Sequence, residues 1–360
     1  MFKNTIYIKI WTSKISTIIL CILILMLSGC TSVRQSFFKS PPNSIEVIDG
    51  VSYSGRREVE AEVSKLMDNK QYDELNKLEV AFRADNAMTA SGWPLIFVFY
   101  QALKDLSAKK YVTQQSLDEV NNQIANWIAN NPNSQFGHFY LVDIFFAQAW
   151  QARGTGYANS VSKLQWKIFN ADMNKAYRYL DEYKDELAEN PRWYMDMLDI
   201  ANYQSWPSST YDSILAEALS KHKSYLPFYI FPIFHYTPKW GGSYGGMISF
   251  INKSTAQLTA PLSDEYYARQ YSYATENHLL PTELVSQSNC NRWLIGFDDI
   301  LKKYPTSYNY NHAAYAATLC GNRSKANGYF SNLGKQPPDL SFWGSYNNFT
   351  LAREWSNKKP

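Results

Sequence analysis

Histidine and cysteine are scarce in this 360-residue chain, at five and four. The histidines (His138, His222, His235, His278, His312) stand apart, with no H-E-x-x-H or other close ligand spacing, so no metal or other cofactor is expected. Glu276 and His278, two residues apart, do not share a helix face and are expected on the solvated surface. Basic residues gather only as pairs, such as Arg56-Arg57, Lys109-Lys110 and Lys358-Lys359, which excludes the basic patch that nucleic acid requires. Long alternations of apolar and polar residues are also scarce, which excludes an extensive half-buried sheet.

The first thirty residues carry a strong pattern. Lys3, Lys9 and Lys14 precede an apolar run from Ile18 to Leu27 that includes Cys21. About ten apolar residues is half of what a spanning helix needs, so the run is expected to be a cleaved signal rather than a membrane helix. Leu27-Ser28-Gly29-Cys30 resembles the lipobox of bacterial lipoproteins, where small residues admit the peptidase before a lipid-modified cysteine. The resemblance implies cleavage after Gly29 and attachment to a membrane through lipid, palmitate included, on Cys30. Thr31 rather than Asp at the next position implies the outer membrane, facing the periplasm, in a Gram-negative cell. Cleavage removes three lysines and no acid, leaving 32 basic residues against 32 acidic ones, so the mature chain is formally neutral.

Cys30 and residues to about Gly55, with Lys39-Ser40-Pro41-Pro42-Asn43, are read as a flexible tether, and residues 56–360 as a helical domain. Leu117, Val120, Ile124, Trp127 and Ile128 share one helical face, as do Tyr211, Ile214, Leu215, Ala218 and Leu219. Asn131-Pro132, Asn190-Pro191, Trp206-Pro207 and Tyr304-Pro305 punctuate such stretches. The best strand candidate, Tyr225 to Tyr236, is interrupted by Pro227 and Pro232. The fold class is therefore all-α: antiparallel helix pairs in an α-solenoid. Residues of about 290–334 look like a tetratricopeptide unit, with close helix approach allowed by Ala313, Ala314, Ala316 and Ala317. Cys290 opens one helix of that hairpin and Cys320 closes the next, so a disulfide between them is expected in an exported protein; two buried free thiols are the alternative.

A wider likeness follows from Trp127, Asn131-Pro132-Asn133-Ser134, Ala149-Trp150-Gln151-Ala152-Arg153-Gly154-Thr155-Gly156-Tyr157-Ala158, Pro191-Arg192-Trp193-Tyr194 and Pro238-Lys239-Trp240-Gly241-Gly242-Ser243. In this order they resemble the domain-of-unknown-function 4034 family of uncharacterised bacterial proteins, over roughly residues 75–327. That resemblance implies a helical domain with tetratricopeptide-like pairing and carries no activity. Gly154 and Gly156 read as a turn, since neither the strand nor the glycine spacing of a phosphate loop is present. Arg153 is read as a clasp to a carboxylate on a neighbouring helix, with a ligand role as the alternative.

Gly241-Gly242-Ser243-Tyr244-Gly245 fits the nucleophile elbow G-x-S-x-G, and Asp298 or Asp299 and His312 follow in the order that α/β-hydrolases use. The parallel sheet of that fold is missing, so Ser243 is read instead as the cap of a helix through Met247, Ile248 and Phe250. Asp264-Glu265 could act as an acid pair on a glycan, but adjacent acids at a helix start more often complement its dipole. Aromatic residues make up 16% of the chain, enough to fill helix seams and still line a groove. Phe228, Tyr229, Phe231, Phe234, Tyr236 and Trp240 are the groove candidates, with buried packing as the competing role. The expected binding surface comprises Phe234, Tyr236, Trp240, Arg153 and Tyr157. The expected function is a lipid-anchored scaffold of the cell envelope that binds another envelope protein or a peptide. An envelope hydrolase, through Ser243 or an acid pair, and non-catalytic glycan binding are the alternatives.

Overall fold

Helices follow one another through nearly the whole of the described chain. The computed structural model describes residues 46–48, 51–53, 55–84, 87–110 and 114–358. The signal, the lipobox and Cys30 lie outside the described residues. Within the expected tether, β1 (Glu46–Ile48) and β2 (Val51–Tyr53) pair antiparallel, with Ile48 opposite Val51. Three alternating residues are too few to stand out in a sequence, although Asp49-Gly50 between them is a hairpin-turn dipeptide.

The helical domain begins with α1 (Arg56–Asp68), α2 (Tyr72–Ala84), α3 (Leu95–Lys110), α4 (Gln114–Asn130), α5 (Gln135–Arg153) and α6 (Lys163–Glu182). It continues through α7 (Lys184–Leu187), α8 (Pro191–Tyr203), α9 (Ser208–Lys221), α10 (Pro227–Ile230) and α11 (Tyr244–Ala256). The C-terminal part holds α12 (Leu262–Glu276), α13 (Cys290–Lys303), α14 (Ser307–Leu319), α15 (Arg323–Leu333), α16 (Leu340–Trp343) and α17 (Tyr346–Asn357). The most extensive packing joins chain neighbours, α5 with α6, α12 with α13 and α14 with α15, while α1 packs across α2 onto α3. This is an all-α fold of helix pairs in a solenoid-like arrangement. Among the described residues no helix is long and apolar enough to cross a membrane.

Local chemistry sets the boundaries. Asn190 caps α8 by accepting from Arg192 N, with Pro191 in the first turn, where its missing N–H costs nothing. Ser162 and Gln165 form a reciprocal capping box at α6. Asn289 and Thr306 cap α13 and α14. The strand candidate Tyr225–Tyr236 is instead α10 followed by the 3-10 turn Phe231–Phe234. Pro227 and Pro232, which fit badly inside a ladder, each sit in the first turn of one of these pieces.

The seams are close and aromatic. A Cβ on Gly296 of α13 would lie 2.0 Å from Asp264 O of α12, so only glycine allows these two helices to approach as they do. Ala313, Ala314, Ala316 and Ala317 of α14 are fully buried and serve the same end. Cys290 and Cys320 are bonded, with Cα atoms 5.7 Å apart, and join the start of α13 to the end of α14 as the hairpin reading requires.

Candidate functional site

The Ala149–Ala158 motif forms the corner between α5 and α6. Helix α5 ends at Gly154, whose φ of +75° reverses the chain. Trp150 and Arg153, one turn apart, share a face, and the capping box at Ser162 sets Trp166 in the first turn of α6 opposite them. The Arg153 guanidinium lies 5.1 Å from the Trp150 ring centre and 5.0 Å from that of Trp166. Its Nη1 donates to Gly154 O (3.0 Å) and Gly156 O (3.1 Å). Gln165 Nε2 donates to Arg153 O at 3.3 Å, tying α6 back to the end of α5.

Among the described residues no carboxylate clasps Arg153, contrary to the expectation from sequence. Its neighbours are two indoles and two carbonyls, so cation–π contact and backbone acceptors fix the side chain while its charge stays uncompensated. Tyr157, in the turn that follows, is 76% exposed.

The Pro238–Ser243 motif lies past the other side of the α8 terminus. Trp150 meets Tyr203 of α8 edge-on at 5.2 Å. The adjacent Asn202 holds His235 Nδ1 at 2.6 Å through Oδ1. His235 stacks on Tyr211 at 3.7 Å, and Tyr236 stacks on Phe250 while donating to Asp212 (2.6 Å). A 3-10 turn, Pro238–Trp240, then exposes Trp240. Gly242 is needed here, because a Cβ would lie 2.2 Å from Tyr236 O. Trp150, one turn from Arg153, and His235, next to Tyr236, thus each touch the last residues of α8. Phe234 turns away to pack edge-on against Tyr273 of α12 (5.6 Å), and Phe228 and Tyr229 are core residues.

An ionic spine fixes α8 against α3 and α5. Buried Arg192 donates Nε to Asp196 (2.7 Å), Nη2 to Asp143 of α5 (2.5 Å) and Nη1 to Tyr100 O of α3 (3.1 Å). Lys104 of α3 pairs with Asp199 at 2.5 Å. Asp196, Asp199 and Tyr203 follow at helical spacing along α8, so the ion pairs lead from the core to the residue that carries Trp150. Burial outweighs the attraction of Arg192 and pushes the Asp143 carboxyl up to about 7. The folded state then holds a proton that the unfolded chain has released above its ordinary carboxylate range. The stability of the wild type relative to Asp143→Asn is therefore expected to fall as pH rises from about 4 to about 7, by up to about 1.4 kcal/mol per unit, and to level off above that. Parallel urea titrations across this range check the sign.

The catalytic alternative is not assembled. Ser243 Oγ accepts from Gly246 N and caps α11. Asp298 holds Lys325 and Tyr329, Asp299 holds Lys302, and His312 packs among Phe297, Tyr308 and Phe342. No hydrogen bond joins Ser243, either acid or His312 to another member of the set. Asp264 and Glu265 do open α12, where they pair with Arg292 and Lys303.

Glu276 was misplaced by the sequence reading: it is buried, its Oε1 lacks a partner, and burial with Asp339 nearby holds its carboxyl well above the usual range. Partners on α14 and α16, remote in sequence, enclose it, whereas His278 is exposed as expected. His312 Nε2 is likewise buried without a partner, and burial with Arg269 nearby keeps the ring neutral. Among the described residues no group of three or more His, Cys, Asp and Glu could hold a metal ion.

No protein-family model, curated protein or solved structure matches the chain.

Proposed function

We propose that this chain is a lipid-anchored protein of the cell envelope whose helical domain binds a protein or peptide partner on the ledge around Arg153, Tyr157, Tyr236 and Trp240. The observation that carries the reading is the state of Arg153: a cation held rigid between two indoles, with no carboxylate beside it, next to a tyrosine that is 76% exposed. Buried or clamped charges are ordinarily paired, and rigid aromatic and Arg side chains are the groups that anchor interfaces. Membership of the resembling family is part of the proposal and adds no activity to it. Glycan binding is less favoured, since Arg153 covers one face of both Trp150 and Trp166; a hydrolase through Ser243 lacks its hydrogen bonds.

Two measurements test the proposal. Cells fed an alkyne fatty acid are expected to label the wild type and not Cys30→Ser; equal labelling of both removes the anchor from the account. Capture from envelope extract on the immobilised protein is expected to retain a saturable partner that Arg153→Ala and Trp240→Ala each weaken at least tenfold. Phe234→Ala, on the side of α12, is expected to leave it within about threefold. Loss with Phe234→Ala alone would move the surface elsewhere.

A further inference from the structure

Between Asp143 and Asp172 the chain has no acidic residue, and its charges there are Arg153, Lys163 and Lys167. This segment folds into the α5–α6 corner, so three cations meet the N-terminal end of α6, a helix of 20 residues whose dipole adds positive potential. Acids on the adjoining elements are occupied elsewhere: Asp199 by Lys104, Asp212 by Tyr236 and Asp172 by Lys175. Leu164 and Ile168, 66% and 41% exposed on α6, each stand two residues from Trp166 and so face away from Arg153.

From this geometry we infer that the corner is a receptor for an acidic peptide, with Arg153 taking one of its carboxylates in two parallel hydrogen bonds. Nη1 is occupied by Gly154 O and Gly156 O. That leaves Nε and Nη2, the edge of the guanidinium that matches the two oxygens of a carboxylate, with no acceptor among the described residues. The Trp150–Trp166 clamp orients that edge in advance, which lowers the entropic cost of the contact. Lys163 and Lys167 supply attraction without geometry. A recessed, fixed guanidinium reads the plane of a carboxylate; a bilayer surface, attracted at any orientation, has no use for that feature.

The inference rests on the partner-binding reading and is tested separately from it. The full-length chain in detergent is titrated with a labelled peptide of alternating glutamate and leucine and with its glutamine counterpart, by fluorescence anisotropy. The glutamate peptide is expected to bind at least tenfold tighter. Arg153→Met is expected to weaken it on the order of 10- to 100-fold, with Arg153→Lys recovering only part. Lys163→Gln with Lys167→Gln, which leaves the clamp untouched, is expected to weaken it a few-fold and to remove much of its salt dependence. Equal binding of the two peptides, still sensitive to Tyr157→Ala, overturns acid recognition and keeps the partner surface. Binding of phosphatidylglycerol vesicles but of neither peptide overturns the inference in favour of a membrane contact. Binding of none of these overturns it outright, and the extract capture above then decides the broader reading.

Discussion

Replacing Arg192 by methionine is expected to lower the unfolding free energy by about 3–5 kcal/mol, because it strands two buried carboxyl groups. Asp143 and Asp196 both point at this one guanidinium, and Asp143 Oδ2 has no other partner. Taking charges out of water is costly, so the pair attraction mainly offsets that cost, and removing one partner exposes it. The loss is expected to be larger at pH 8 than at pH 5, since acid lets the carboxyls neutralise. Replacing Arg192, Asp143 and Asp196 together by apolar residues of similar volume is expected to recover most of the stability, as the desolvation cost goes with the charges. Urea midpoints of the single and triple variants at the two pH values decide it. A single variant within about 1 kcal/mol of wild type would mean that the spine does not hold α8 in place.

Removing the disulfide has an effect of similar size but at the other end of the domain. Cys290 and Cys320 are separated by 30 positions, and closing a loop of that length stabilises by about 3–4 kcal/mol in the chain-entropy account. Cys290→Ser with Cys320→Ser is expected to lose this amount, and reductant is expected to affect the wild type and not the variant. In a solenoid each pair leans chiefly on its neighbours, so the loss should appear first as faster amide exchange in α13 and α14. Exchange that quickens equally in α5 and α8 would contradict a local brace.

These two structures were unequally legible in the sequence. The hairpin at 290–319 could be read because every signal is local: the apolar stripe from Trp293 to Leu301, the stop at Tyr304-Pro305, the small-residue helix and the two cysteines at its base. Ser243 as a helix cap was legible for the same reason. Arg192 had no such signal, since Asp143 and Tyr100 reach it only through tertiary packing. Glu276 looked solvated for want of an apolar pattern around it, and its burial depends on α14 and α16. The run from Tyr225 to Tyr236 carried strand composition but helix punctuation, and the prolines decided it.

The proposed binding surface shows the same division. Arg153, Tyr157, Tyr236 and Trp240 could be singled out from motif and aromatic content, and the side chains beside two of them, Trp150 and His235, touch the end of α8. Phe234 could not be told from them, because neighbouring side chains of a 3-10 turn diverge by a third of a revolution and point to different seams. Trp166 carried no signal of its own, since only the fold brings it and Trp150 together around Arg153.

The most direct test of the surface is a photo-crosslinking residue placed at Tyr157 in the full-length protein in its native envelope, with another at Val80, an exposed position on α2. The account predicts a discrete adduct from position 157, none from position 80, and loss of the adduct when Arg153→Met is added. An adduct that survives that substitution, or one that forms from position 80 and not from 157, would contradict the assignment of the ledge as the binding surface.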